Sequence, residues 1–201
     1  MIKNVIFDFG QVMIRFDPVY MVGRYVTDAK DAALLENVIF DRLYWDKLDK
    51  GTITDAAVVA AVKTRIPEHL YEAVEKIYYN WIYNIPEIEG MREIVRNLRK
   101  RGVRVFLLSN ISQYFAEHAD EIPCLAEFER CFFSAVMGKT KPNREIYDEV
   151  CRTVGIGPTE TLFVDDNAMN IRCAEEYGIH GYLFDGDASR LSAHLTELLG
   201  G

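Results

Sequence analysis

The sequence predicts an α/β fold, with a Rossmann-like parallel sheet core and a helical cap domain inserted after the first strand. Two observations lead to this prediction. Short apolar runs rich in β-branched and aromatic residues alternate with helical patterns, which is typical of a parallel sheet covered by helices on both faces. Between the first and second of these runs the alternation stops, and only helical patterns are found.

Five apolar runs are predicted to be strands buried on both faces of the sheet. They are NVIFDF (4–9), VRVFLLS (103–109), CFFSAV (131–136), TLFVDD (161–166) and HGYLF (180–184). Helical patterns lie in residues 91–102, 143–155 and 170–178. The last two are expected to end at Gly155 and Gly178, because glycine readily adopts the backbone conformation that closes many helices.

Residues 17–85 have the pattern of a separate helical unit. The segment shows helical periodicity without a convincing strand, and it is far longer than an ordinary connection between strands. We therefore expect an α/β core of residues 1–16 and 86–201 and a helical cap of residues 17–85. The aromatic residues of the cap are expected to be packing residues; they are Trp45, Tyr78, Tyr79, Trp81 and Tyr83.

Composition and charge exclude several classes of partner. The 201 residues include 23 Lys and Arg against 31 Asp and Glu, and no basic stripe suits a nucleic acid. No apolar stretch approaches the ~18 residues of a membrane span, and no leader with a cleavage site is evident, so we expect a cytoplasmic protein without a membrane partner. The four cysteines lack metal-site spacing and are expected to be reduced thiols. Oligomeric state cannot be predicted from the sequence.

Polar residues lie at the carboxyl ends of the predicted strands, where open parallel sheets bind their ligands. They are Asp8 after the first strand, Ser109 and Asn110 at the second, Lys141 in the loop after the third, and Asp165 and Asp166 at the fourth. Although these residues are far apart in the sequence, the topology should bring them together at one edge of the sheet.

Three carboxylates in one cleft repel each other, and burying them without a partner is costly. A bound cation removes this difficulty. Mg²⁺ prefers oxygen ligands, and it is commonly bound by a few protein oxygens that leave coordination positions open for water and phosphate. The Lys141 ammonium and the Ser109 hydroxyl would supply donors for an anionic group such as phosphate.

Four sequence segments together resemble the haloacid dehalogenase-like hydrolases over essentially the whole chain. They are VIFDFGQVM, LLSN, the lysine of KPNREIY, and FVDDNAMN. The double aspartate and the helical insertion resemble the subfamily with a helical cap after the first motif. The Asp-x-Gly-x-Val form of that motif is similar to the α-D-glucose-1-phosphate phosphatase group.

The resemblance implies that Asp8 is the nucleophile and forms an aspartyl-phosphate. It also implies that Mg²⁺ is bound by Asp8, the Gly10 carbonyl and Asp166, with Asp165 either a further ligand or a neighbour of the ligands.

By the same resemblance, Ser109 and the Asn110 backbone would hold the phosphoryl oxygens, and Lys141 would balance their charge. Asn167 and Asn170 would either brace the acidic loop or cap the helix that follows.

The sequence departs from most phosphatases of this family at Gly10, where they have a second aspartate that acts as general acid and base. Such help is typically worth ~10²–10⁴ in rate. The loss matters least for a good leaving group, which favours a sugar phosphate such as glucose 1-phosphate. Asp17 or a water molecule could take over the proton transfer. The expected function is a Mg²⁺-dependent phosphatase of a small phosphorylated metabolite.

Two alternatives stay open at this point. Metal-free 2-haloacid dehalogenases also lack the second aspartate of the first motif, but a metal-free site has no use for the Asp165 and Asp166 pair. A catalytically silent binding protein would keep the fold without the proton donor, but here the other motif residues are all present.

Overall fold

The computed structural model describes residues 1–200, and its centre is one parallel sheet. The strands are β1 (Asn4–Phe7), β2 (Arg104–Ser109), β3 (Arg130–Phe133), β4 (Thr161–Asp165) and β5 (His180–Leu183). Their order is β3-β2-β1-β4-β5, and each neighbouring pair is parallel. The order changes direction beside β1, so β1 and β4 meet where sheets of this type bind ligands.

Helices account for most of the remaining residues. Five form the helical unit that follows β1: α1 (Pro18–Gly23), α2 (Ala29–Ile39), α3 (Trp45–Asp49), α4 (Asp55–Lys63) and α5 (Tyr71–Asn84). The others are α6 (Met91–Lys100), α7 (Gln113–Glu117), α8 (Ser134–Met137), α9 (Arg144–Val154), α10 (Ala168–Tyr177) and α11 (Ala188–Leu198). No helix within residues 1–200 is both long and apolar enough to cross a membrane.

The predicted α/β fold is confirmed, and so are the predicted ends of two helices. Gly155 closes α9 with φ 66° and Gly178 closes α10 with φ 106°, both in the left-handed region. In each case the glycine N–H donates to a carbonyl of the last helical turns, which satisfies groups that a helix end would otherwise leave unpaired.

The third and fifth strand predictions were partly wrong. The apolar run 131–136 leaves the sheet after Phe133, and residues 134–137 form the short helix α8, which Gly138 closes with φ 65°. A short apolar run cannot be divided between strand and helix by periodicity alone. In addition, β3 and β5 are the edges of the sheet, and Leu183 in β5 is 52% exposed, so these strands are not buried on both faces.

Helices α1 to α5 have a hydrophobic core of their own, separate from the two cores that cover the faces of the sheet. Its fully buried members include Val22, Leu35, Val74 and Ile77. The chain enters and leaves this helical unit side by side. The Arg15 N–H donates to the Pro86 carbonyl over 2.9 Å, which ties the two connecting segments together.

Aromatic rings fill the contact between the helical unit and the sheet unit. Phe16 makes edge contacts with Phe40, Trp45 and Trp81, at ring-centroid distances of 5.8, 5.7 and 5.6 Å. Trp81 also stacks on Phe115 at 5.7 Å. Trp45 and Trp81 are therefore packing residues, as the sequence predicted, and their rings lie between the two units.

A polar contact joins the same two units through α4. The buried carboxylate of Asp55 accepts a hydrogen bond from the Tyr114 N–H over 3.1 Å and another from the Tyr78 hydroxyl over 3.3 Å. Tyr114 belongs to α7 of the sheet unit, and its hydroxyl donates to the Tyr79 carbonyl of α5. These bonds hold the cap against the sheet near the carboxyl end of β2.

Gly51 permits a close backbone approach between the two units. Its φ is +67°, and a Cβ placed there would lie 2.5 Å from the Ala135 carbonyl oxygen. We predict that Gly51→Ala lowers kcat/KM because the cap can no longer sit against α8. The matched control is Gly102→Ala, at φ +77° with no atom within 4 Å.

Both substitutions carry the strain of a left-handed alanine, about 1–2 kcal/mol, which urea unfolding would measure. Only Gly51→Ala should also lose activity, and equal kcat/KM for the two variants would show that the contact with Ala135 is unimportant.

Candidate active site

A buried lysine joins two aspartates at the carboxyl edge of the sheet. Lys141 Nζ lies 2.7 Å from Asp8 Oδ1 and 2.8 Å from Asp165 Oδ2, and it donates to the Leu108 carbonyl over 2.9 Å. The Lys141 side chain is 1% exposed and that of Asp165 is 0% exposed. The topology thus brings together three of the predicted site residues, which come from three different parts of the sequence.

Backbone and amide contacts fix the positions of these side chains. Asp8 directly follows β1, and its N–H donates to the Val164 carbonyl of β4 over 2.9 Å. The Asn110 side chain holds the Lys141 backbone at both polar groups: Oδ1 accepts from the N–H over 2.8 Å and Nδ2 donates to the carbonyl over 2.9 Å. This bracing role of the Asn110 amide was missed by the sequence analysis.

The oxygens of Asp165 are occupied by protein donors. Oδ1 accepts from the Asn167 N–H over 2.8 Å and from Asn170 Nδ2 over 3.0 Å, while Oδ2 accepts from Lys141 and again from Asn170. Asn170 therefore braces the acidic loop, whereas the Asn167 side chain caps α10. The four hydrogen bonds from the protein leave Asp165 less capacity for a further ligand than Asp8 or Asp166 has.

The site has more negative than positive charge. Burial raises the pKa of Asp8 to about 7, and Asp165 adds to this rise while Lys141 opposes it. Burial by itself would lower the pKa of Lys141, but Asp8 and Asp165 outweigh it and raise that pKa. Partial desolvation and the charge of Asp165 also raise the pKa of Asp166. One ammonium is thus shared among three carboxyl groups.

This arrangement fits a divalent cation. One carboxylate oxygen from each of Asp8, Asp165 and Asp166 lies within 4.8 Å of the others. Within residues 1–200 no group donates a hydrogen bond to the Gly10 carbonyl, which leaves it available as a ligand. Oxygen donors, excess negative charge and the exposed position of Asp166 are the features that suit Mg²⁺ with bound water.

Ser109 and the Asn110 backbone occupy the end of β2 beside this cluster. Ser109 is 3% exposed, and its hydroxyl makes no hydrogen bond with the described part of the chain. The Asn110 amide side chain is engaged by Lys141, so only its backbone is available to a ligand.

Two charged residues of the cap lie within electrostatic reach of the site and were not predicted. Asp49 ends α3, and burial raises its pKa to about 7 while the charges of Lys141 and Arg42 oppose the rise. Arg42 also opposes the rise in the pKa of Asp166 that burial causes. Arg42 has φ 62°, and its guanidinium lies 5.1 Å from the Trp45 ring. Helical periodicity gave no signal for these residues, because it does not tell which side of the cap meets the sheet.

Asp17, which the sequence offered as a replacement acid, has another role. Its carboxylate accepts from the Tyr20 N–H over 3.1 Å and caps α1. The four cysteines are free thiols, as expected, and burial raises the pKa of Cys131 to about 12, so it is unreactive.

Comparison with known proteins gives one family match. The sequence profile of the haloacid dehalogenase-like hydrolases matches residues 2–178.

Curated relatives are similar over different lengths. Flavin mononucleotide hydrolase 1 of Arabidopsis thaliana is 30% identical over 111 residues, which span 55% of this chain and 45% of that protein. D-ribitol-5-phosphate phosphatase of Bacteroides thetaiotaomicron is 26% identical over 90% of this chain and 91% of its own. Sesquiterpene phosphatase astK of Aspergillus oryzae is 25% identical over 98% of this chain and 97% of its own.

Solved structures with the same fold cover nearly the whole chain. A HAD-like family hydrolase from Porphyromonas gingivalis is 25% identical, with a TM-score of 0.74 over 100% of this chain and 99% of the other. An enzyme of this type from Bacteroides thetaiotaomicron, in complex with magnesium and inorganic phosphate, is 24% identical, with a TM-score of 0.74 over 95% and 99% of the two chains. The second likeness concerns the fold alone.

Proposed function

The chain belongs to the haloacid dehalogenase-like hydrolases, and we propose that it is a Mg²⁺-dependent phosphatase that hydrolyses a small phosphorylated metabolite through an aspartyl-phosphate on Asp8. A sugar or polyol phosphate is the proposed substrate class. The observation that carries the proposal is the buried contact of Lys141 with Asp8, beside two further acids. The relatives named as phosphatases or as a flavin mononucleotide hydrolase support it.

Asp8 is the proposed nucleophile because it combines a fixed position with a charge partner. Attack on phosphorus requires its carboxylate form, and the Lys141 ammonium at 2.7 Å favours that form against the effect of burial. Lys141 would also balance the charge of the phosphoryl oxygens. The Ser109 hydroxyl and the Asn110 N–H, at the end of β2, would hold those oxygens.

Asp8, the Gly10 carbonyl and Asp166 are the groups proposed to hold Mg²⁺. Asp165 would stand beside them, because its oxygens already accept four hydrogen bonds from the protein. When bound, the ion supplies positive charge that reduces the repulsion between an anionic nucleophile and an anionic phosphate.

The acidic cluster favours this function over a metal-free 2-haloacid dehalogenase. A dehalogenase would need no cation, yet Asp165 and Asp166 stand beside Asp8, and Asp165 raises the cost of the negative charge on Asp8. The Ser109 hydroxyl, which makes no hydrogen bond within residues 1–200, also favours an enzyme over a silent binding protein, because it leaves a donor for phosphoryl oxygens beside the proposed nucleophile.

The test is phosphate release from p-nitrophenyl phosphate and from a panel containing glucose 1-phosphate, glucose 6-phosphate, D-ribitol 5-phosphate and flavin mononucleotide. We expect turnover with Mg²⁺, loss of turnover in EDTA and recovery when Mg²⁺ is restored. Chloride release from 2-chloropropionate is measured in parallel and should be absent. Unchanged activity in EDTA would contradict the proposed Mg²⁺ dependence. If no ester released phosphate, the proposed phosphatase activity would be wrong.

A measurement without turnover checks the metal ligands. Mg²⁺ should raise the free energy of unfolding of the wild type by about 2.7 kcal/mol at a concentration of ~100 Kd, because it binds only the folded chain. Asp166→Asn should reduce this gain in the free energy of unfolding. Asp46→Asn, which alters an exposed acid of α3, should leave the gain unchanged.

A further inference from the structure

The proposed reaction needs a proton donor and acceptor, which the first motif does not contain. Position 10 is glycine, and apart from its chain neighbours no atom lies within 4 Å of where its Cβ would stand. The space beside the nucleophile is therefore open, and no neighbouring side chain takes the place of a residue at this position. A group that protonates the leaving oxygen has to come from another element.

Most acids near the site are already engaged. Asp17 caps α1, and Asp55 accepts bonds from the Tyr114 N–H and the Tyr78 hydroxyl. Asp165 accepts four hydrogen bonds. Each of these carboxyl groups is therefore already bound to donors of the protein itself.

Asp49 differs from them because its carboxyl group has no hydrogen-bond or ion-pair partner within residues 1–200, although the residue is half-buried. It ends α3, and α3 packs on α8. The turn that follows brings Gly51 against Ala135 in α8. The loop after α8 carries Lys141, whose charge reaches both Asp49 and Asp8.

The direction of the reaction places the leaving group on the cap side. In a phosphoryl transfer the attacking and leaving oxygens are roughly in line with phosphorus between them. Asp8 attacks from the sheet edge, so the leaving oxygen points away from the sheet, toward the helical unit that carries Asp49. Within the described part of the chain, Asp49 is a partnerless acid on the unit that lies on that side.

We propose that Asp49 of the cap is the general acid and base of the reaction, in place of the side chain that Gly10 lacks. This inference rests on the proposed phosphatase function. Asp49 would then be a catalytic residue supplied by the cap, so the site would be complete only when α3 lies against α8.

The reaction has two steps, and Asp49 gives a proton in the first and takes one in the second. An Asp8 oxygen bonds to phosphorus, the bond from phosphorus to the ester oxygen breaks, and that oxygen takes the Asp49 proton to leave as an alcohol. A water oxygen then bonds to the same phosphorus while Asp49 takes its proton. The bond from phosphorus to Asp8 breaks, its electron pair returns to the Asp8 carboxylate, and inorganic phosphate leaves.

The acidity of Asp49 agrees with this role. Burial and the neighbouring charge of Asp46 raise its pKa to about 7, while Lys141 and Arg42 act in the opposite direction. Tyr78 of α5 is the remaining titratable neighbour, and burial raises its own pKa so that it stays neutral. A pKa close to the working pH allows one group to give a proton in the first step and take one in the second.

The experiment compares two aryl phosphates in wild type and Asp49→Asn, with Mg²⁺ present. p-Nitrophenolate leaves without a proton, so a rapid burst of about one p-nitrophenol per enzyme should survive in Asp49→Asn, followed by slow turnover because the second step lacks its base. Phenolate is a poorer leaving group, and its release should fall by at least ~10²-fold. Lys47→Gln, at an exposed position of the same helix, is the matched control and should keep both rates within a few-fold of wild type.

Asp49→Glu tests whether a carboxyl group is what matters, and it should recover part of the phenyl phosphate rate. Equal losses in the p-nitrophenol burst and in phenol release would show that Asp49 only supports the position of the cap, and this would overturn the inference. Rates in Asp49→Asn like those of Lys47→Gln would overturn it too. If the wild type releases phosphate from neither ester, the proposed function fails first and the role of Asp49 fails with it.

Discussion

Asp8→Asn is expected to lower phosphate release by a factor on the order of 10⁴ or more, as found when a covalent nucleophile is removed from an enzyme. The asparagine amide keeps the size of the side chain but cannot form the aspartyl-phosphate. Lys141 would keep its contact with Asp165 at 2.8 Å, and the crowded acidic site would lose one negative charge. The variant should therefore fold, and its loss should be one of chemistry.

Rapid acid quenching with a radioactive phosphate ester measures the intermediate directly. Wild type should retain acid-stable, alkali-labile phosphate, and Asp8→Asn should retain none. Asp185→Asn, which alters an exposed acid after β5, serves as the control and should behave as wild type. Phosphate bound covalently to Asp8→Asn would show that another residue is the nucleophile.

Lys141→Met is expected to have the largest effect on stability, about 3–5 kcal/mol, together with loss of activity. Lys141 is the only cation within 4.0 Å of the Asp8 and Asp165 carboxylates in the described part of the chain, and it also donates to the Leu108 carbonyl. Methionine has a similar length but no charge, so two buried carboxylates would lose their partner.

Urea unfolding in EDTA would measure this loss without a contribution from a bound cation. Lys139→Met is a matched control two residues away, because Lys139 pairs with Glu149 at the surface and such pairs contribute about 0–1 kcal/mol. Adding Asp165→Asn to Lys141→Met should restore part of the lost stability, since it removes one of the uncompensated charges. A double variant as unstable as the sum of the two single variants would argue against an electrostatic cause.

Much of the fold could be predicted because its signals are local. Strands β1, β2 and β4 are central and buried, so their apolar runs stand out, and glycines mark the ends of α9 and α10. Predictions failed at the edge of the sheet, where the run after β3 becomes α8. There the burial that distinguishes a strand depends on neighbours that are distant in the sequence.

In the candidate site too, local sequence signals could be predicted, whereas contacts between distant residues could not. Asp8, Lys141 and Asp165 could be placed at one edge because parallel strands share a direction, and the sequence order of the motifs implies that edge. The sequence could not show that Asn110 binds the Lys141 backbone through its amide, or that Asp165 is saturated with donors. Hydrogen-bond partners depend on distances of a few tenths of an ångström, which only the folded chain defines.

The sequence by itself determined the parallel sheet and the helical insertion, because these follow from periodicity. Its four motifs gave the resemblance to the family, and that resemblance implied the chemistry expected at Asp8. The tertiary structure decided which cap residues reach the site, and it brought Asp49 near Lys141 through contacts of α3 with α8. Helical periodicity defines the buried face of a cap helix but not the surface that it meets. That choice depends on how the two connecting segments and the interfacial aromatic rings orient the cap.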